Sequence, residues 1–168
     1  MKQLLILRHA KSSWKHAGLT DHDRPLNPRG LRDAPRMGRL LLSRDLLPQR
    51  ILCSTAVRAH TTALMVCEAA GLADPPEFLR ELYLAAPTSY IEHLALLDDD
   101  DQRVMVVGHN PGLEELVYLL TRDHETMSTA ALAHVALPIE RWAEVSLRTR
   151  GTLLDLWRPR DLEGDAPG

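Results

Sequence analysis

Residues 103–112 read Arg103-Val104-Met105-Val106-Val107-Gly108-His109-Asn110-Pro111-Gly112, and this stretch sets the fold class. Its first five residues are rich in β-branched side chains and closed by glycine, which predicts a buried strand. The strand ends on a histidine, and Asn110-Pro111 then offers an N-cap followed by proline at the first helical position. Beyond it, Leu113, Leu116, Val117 and Leu120 fall on one helical face. A buried strand that passes through a polar exit into an amphipathic helix is the building unit of an α/β fold.

The same unit recurs on either side. Leu4–Leu7 reads as a strand that runs into Arg8-His9-Ala10-Lys11-Ser12. Arg50–Ser54 reads as a second, followed by a helix that Ser54 or Thr55 could cap and Gly71 stops. Glu77–Arg80 is a weaker strand. Asn27-Pro28 marks another helix start, and Pro35 predicts a kink or interruption within that helix. The later runs Ala133–Leu137, Ala143–Leu147 and Thr152–Trp157 read as strands joined by short turns, which allows an antiparallel edge. The expected architecture is an α/β sandwich around a mostly parallel central sheet, with one domain over residues 1–158 and a frayed tail over 159–168.

The chain has 168 residues, 45% apolar and 26% charged, enough for one globular domain with a sizeable core. Its net charge of −3 gives no global pull toward nucleic acid or an anionic membrane, so any anion site has to be assembled locally. Cys53 and Cys67 make neither a metal-ligand pair nor a disulfide framework and read as buried thiols in a reducing compartment. The apolar run at Leu4–Leu7 is too short for a signal peptide or a membrane span, and a cytoplasmic monomer is expected.

Ligand sites of parallel α/β sheets lie at the carboxyl ends of the strands. If the three strong strands are neighbours, Arg8, His9, Arg58 and His109 converge there, beside helix N-termini. Guanidinium forks match phosphate oxygens, so phosphate is the natural occupant. A histidine among arginines is disfavoured as a cation, and a neutral His9 could attack phosphorus as a nitrogen nucleophile. Metal chemistry at the two histidines is rejected because the arginines would repel a dication, and no cofactor is expected.

Taken together, Arg8-His9, Arg58-Ala59 and Gly108-His109-Asn110 resemble the signature of the histidine phosphatase superfamily, which includes the phosphoglycerate-mutase-like enzymes. Arg8-His9-Ala10-Lys11-Ser12, Asp23-Arg24-Pro25-Leu26-Asn27-Pro28-Arg29-Gly30 and Gly108-His109-Asn110-Pro111-Gly112 resemble its small bacterial branch, the SixA-type phosphohistidine phosphatases. The resemblance implies a phosphoglycerate mutase-like, three-layer α/β/α sandwich and a role in bacterial signalling. It makes His9 the phospho-acceptor and Arg8, Arg58 and His109 the phosphate pocket, with Asn110 of the same motif among the phosphate-binding residues. It also suggests that Arg24 and Asn27 approach the phosphate or frame its mouth.

Glu81 follows the weak strand where larger relatives often place a carboxylic acid for the leaving group; an ordinary exposed carboxylate is the other reading. Arg24 could instead pair with Asp21 or Asp23, and Asn27 is a helix cap first. The segment from Leu82 to Arg103 is too short for a lid over small substrates, so an open pocket that admits a phosphorylated protein side chain is expected. Dephosphorylation of phosphohistidine on a partner protein is therefore the leading expectation. A small-molecule phosphomonoester phosphatase and a non-catalytic phosphate-binding module are the alternatives.

Overall fold

Side chains of a strand alternate between the two faces of its sheet, and here both faces are apolar. In the computed structural model, which describes residues 1–162, β1 (Lys2–Arg8) sends Leu4 and Ile6 to one face and Leu5 and Leu7 to the other. β4 (Arg103–Gly108) does the same with Val104 and Val106 against Met105 and Val107. Helices α1 (Pro28–Ser43) and α2 (Val57–Ala70) cover the face that carries Leu5 and Leu7, through Met37, Leu41, Ala63 and Val66. Helices α3 (Pro87–Leu94) and α4 (Gly112–Thr121) cover the other through Tyr90, Leu113, Leu116 and Leu120. The result is the expected three-layer sandwich.

With β2 (Arg50–Ser54), β3 (Glu77–Leu79), β5 (Leu132–Leu137) and β6 (Thr152–Trp157), the sheet has the order β3-β2-β4-β1-β5-β6. The first four strands are mutually parallel; β5 and β6 add an antiparallel edge. Cys53 and Cys67 are both free and buried. No described helix is long and apolar enough to cross a membrane.

Four local expectations are corrected. Ala143–Leu147 forms no strand: its start lies in a 3-10 turn, Trp142–Glu144, because Trp142 is fully buried and its indole N–H donates to the Asp101 carbonyl at 2.6 Å. Pro35 does not interrupt α1, which runs unbroken from Pro28 to Ser43 although Pro35 has no N–H to donate to the Leu31 carbonyl one turn back. Asn110 does not cap α4; its side-chain amide donates to Glu114 Oε1 and to the Met127 carbonyl, both at 2.8 Å. Neither Ser54 nor Thr55 is the N-cap of α2, which is Ala56, although Ser54 Oγ accepts the Ala56 N–H at 3.2 Å. Gly71 does end α2, in the left-handed conformation (φ 73°) that glycine adopts freely.

The chain also stays packed beyond the boundary expected at residue 158. Pro159–Leu162 forms a 3-10 turn whose Pro159 and Leu162 are buried. The remainder of the expected tail, residues 163–168, lies outside the described residues.

Candidate active site

The registers Arg8↔Gly108 and Cys53↔Val107 bring the carboxyl ends of β1, β4 and β2 side by side. Arg8 and His9 leave the first, His109 the second and Ser54 the third, while Arg58 lies in the opening turn of α2. Arg8, His9, Arg58 and His109 line one cavity of about 370 Å³, together with Asp21, Arg24 and Asn110.

His9 is held by its backbone on both sides, its N–H donating to the Gly108 carbonyl and its carbonyl accepting from Ala130. Its Nδ1 lies 2.7 Å from the Ala10 carbonyl oxygen. A carbonyl can only accept, so Nδ1 carries the proton and Nε2 keeps a free lone pair. Burial lowers the His9 pKa to about 3; Arg58, Arg8 and Arg24 add to the lowering, and the bond to Ala10 opposes it. The ring is therefore neutral at pH 7.

The second histidine sits 5.1 Å away, centroid to centroid. His109 is 1% exposed, with Nε2 at 2.8 Å from Ser54 Oγ. Burial, His9 and Arg58 lower its pKa to about 3 as well, with Asp21 opposing. Ser54 Oγ already accepts the Ala56 N–H, which leaves its own proton free to reach His109 Nε2 and would place the other ring proton on Nδ1.

Asp21 clamps the cations. It accepts from Arg24 Nε at 3.1 Å and Arg58 Nη2 at 3.0 Å, while its backbone carbonyl accepts from Arg58 Nη1 at 2.7 Å. The Tyr83 hydroxyl also donates to its carboxylate. That bond is the largest cause lowering the Asp21 pKa to about 2, followed on the same side by Arg58 and Arg24 and opposed by burial. Sequence reasoning had Asp21 only as a possible partner for Arg24; its three-residue spacing was the available signal, and the grip on Arg58 was not visible. Arg24 is further fixed by Ser12 Oγ at 2.8 Å and the Ser13 carbonyl at 3.2 Å.

Several buried polar atoms around the cavity have no protein partner among the described residues: Arg8 Nε, Arg58 Nε, His109 Nδ1 and Asn110 Oδ1. Buried donors in a native fold are normally satisfied, and a tetrahedral oxyanion would satisfy the three nitrogens; Asn110 Oδ1, an acceptor, would need a donor instead. Asn27 and Glu81 are not brought in. Asn27 caps α1, accepting from the Gly30 N–H at 2.9 Å, and does not line the cavity. Glu81 is exposed in the 3-10 turn Arg80–Leu82 and does not line it either; from the same segment Leu84 does. Among the described residues no group of three or more His, Cys, Asp or Glu is arranged to hold a metal.

Comparison with known proteins agrees with this geometry. The sequence profile of the Histidine phosphatase superfamily (branch 1) matches residues 4–84. An uncharacterized protein of Mycobacterium tuberculosis is 39% identical over 125 residues, covering 74% of this chain and 76% of that protein. The protein histidine phosphatase SixA, solved in complex with tungstate, superposes with a TM-score of 0.82 at 25% identity, covering 96% of this chain and 99% of that one. A protein of Agrobacterium tumefaciens named for the SixA phosphohistidine phosphatases gives 0.81 at 28% identity, covering 94% and 98%. With the paired histidines, the arginine forks and this fold, the chain belongs to the histidine phosphatase superfamily, in its SixA-like branch.

Proposed function

We propose that the chain is a phosphohistidine phosphatase acting on a partner protein, with His9 as the nucleophile. The observation that carries this reading is the His9 ring itself: Nδ1 is tied to the Ala10 carbonyl, so Nε2 holds an unprotonated lone pair inside a cationic cavity. In the first step His9 Nε2 forms a bond to phosphorus while the bond from phosphorus to the substrate's ring nitrogen breaks, the electron pair going to that nitrogen. In the second, water attacks phosphorus, the pair of the P–N bond returns to Nε2, and inorganic phosphate leaves. Arg8, Arg58 and His109 offer donors to the three non-bridging oxygens, whose charge they offset in both steps. Asn110 and Arg24 border the same space.

The leaving group bears on the substrate. An ester oxygen needs a proton as it departs, and the carboxylate that lines the cavity, Asp21, has its pKa held down at about 2. It is a poor acid at neutral pH. A ring nitrogen is basic enough to leave without one, which favours a phosphorus–nitrogen substrate. The likeness to SixA proteins supports the same choice. A second reading, hydrolysis of small phosphomonoesters, is favoured by the cavity volume of about 370 Å³, which can take a small ligand whole.

The test is to mix the protein with a substrate carrying radiolabelled phosphate and quench in alkali, which preserves phosphorus–nitrogen bonds. Label retained on the protein, lost in acid and absent in His9→Ala, is expected. Turnover that survives His9→Ala would overturn the mechanism. Faster turnover of a panel of sugar phosphates than of a phosphohistidine protein would reject the substrate and leave the nucleophile standing.

A further inference from the structure

Two large apolar side chains stand exposed at the mouth of this otherwise cationic cavity: Trp14, 79% exposed, and Leu84, 56% exposed. An exposed apolar residue alone needs no explanation. These two share a cavity with the nucleophile, and each is held in place.

The Trp14 ring lies over the Arg24 guanidinium, 3.5 Å from its carbon to the ring centroid. That guanidinium cannot wander, because Ser12 Oγ, the Ser13 carbonyl and Asp21 all hold it. The loop carrying Trp14 is pinned in turn by the Ser13 N–H donating to the Pro25 carbonyl at 2.8 Å. One face of the indole is thus fixed on a buried cation while the side chain stays largely in solvent.

Leu84 has φ +49°, in the left-handed region that a side-chain-bearing residue rarely adopts. Its neighbours Leu82 and Ala85 are buried, and the Ala85 carbonyl packs where any Cβ on Gly112 would collide. The backbone is clamped on both sides of a leucine whose side chain is left more than half exposed.

We propose that Trp14 and Leu84 form an apolar rim that seats the organic group carrying the phosphoryl and selects a planar ring there. The inference rests on the cavity being the phosphate site, as argued above, and assigns specificity to residues beyond the phosphate ligands. The ring of a phosphohistidine side chain has the required flat shape and rides directly on phosphorus. Short polar phosphate carriers would leave the rim uncovered.

The test compares phenylphosphonate with methylphosphonate, two non-hydrolysable ligands with the same anionic head, by titration calorimetry. The wild type is expected to bind the phenyl compound roughly three- to tenfold more tightly, the range of an aromatic contact. Trp14→Ala and Leu84→Ala should each shrink that ratio, whereas Trp14→Phe should keep most of it. Any disturbance of Arg24 affects both ligands alike and cancels in the ratio. An undiminished ratio in both alanine variants, or a wild-type ratio near one, overturns the rim. Failure of both phosphonates to bind overturns it by removing the phosphate site itself. A rim that behaves as expected in a protein that leaves phosphohistidine untouched upholds the proposal and rejects the substrate assigned above.

Discussion

Acidification from pH 7 to pH 5 should destabilise the ligand-free protein through His9 and His109, and the size of the effect follows from their burial. Each has an ordinary pKa of 6.5 when unfolded and about 3 in the fold. Below pH 6.5 the unfolded chain therefore binds protons that the folded chain refuses. Stability present above 6.5 is lost as the pH falls, and the loss levels off only below about 3. At pH 5 the unfolded side chain is 1.5 units below its pKa, so each histidine costs about 2 kcal/mol, and the pair up to about 4 kcal/mol. That is a large share of the roughly 5–15 kcal/mol typical of a folded domain. Asp21 does not confuse the measurement, since its window lies between 3.8 and about 2. His134, whose pKa burial also lowers, is common to all the proteins compared and cancels. The assay is urea unfolding at pH 7 and pH 5 of the wild type, His9→Gln and His109→Gln. Each variant should lose about 2 kcal/mol less than the wild type over this interval. Equal losses in all three would show that the histidines titrate normally in the fold, and burial would no longer account for the neutral His9 ring.

Arg58→Lys should lower kcat/KM about a hundredfold or more, because lysine cannot reproduce the fork that Asp21 aligns; near-normal steady-state kinetics would remove Arg58 from the phosphate ligands. Asp21→Asn should tighten competitive inhibition by inorganic phosphate several-fold, as Arg24 and Arg58 lose a competing anion, and weaker inhibition would mean that Asp21 matters chiefly for alignment. Glu81→Gln should leave turnover of a phosphohistidine protein within about twofold, as befits an exposed side chain outside the cavity. EDTA should leave activity unchanged; inactivation reversed by added metal would contradict the metal-free mechanism.

The sequence by itself determined the strands, their exits and the class of chemistry. Residues 4–7, 50–54 and 103–107 are apolar runs bounded by polar exits, and strand formation in such runs is a local preference reinforced by burial on both faces. Arg8, His9, Arg58 and His109 could be singled out because each falls at or just after a strand exit. Residues whose fate depended on distant partners were misread. The run Ala143–Leu147 alternates like a strand, but the adjacent Trp142 finds its partner at Asp101, some forty positions away in the chain. Asn110 looks like a cap until Met127 and Glu114 claim its amide.

Only the tertiary structure decided how the site is held and how its histidines ionise. Asp21 reaches Arg58 across 37 positions and Ser54 reaches His109 across 55, contacts that no local pattern encodes. Residue type says that a histidine can titrate near neutrality. Desolvation by the surrounding fold, with arginines from three separate segments, is what holds the His9 ring neutral, and the Ala10 carbonyl, by accepting a hydrogen bond from Nδ1–H, leaves the lone pair on Nε2.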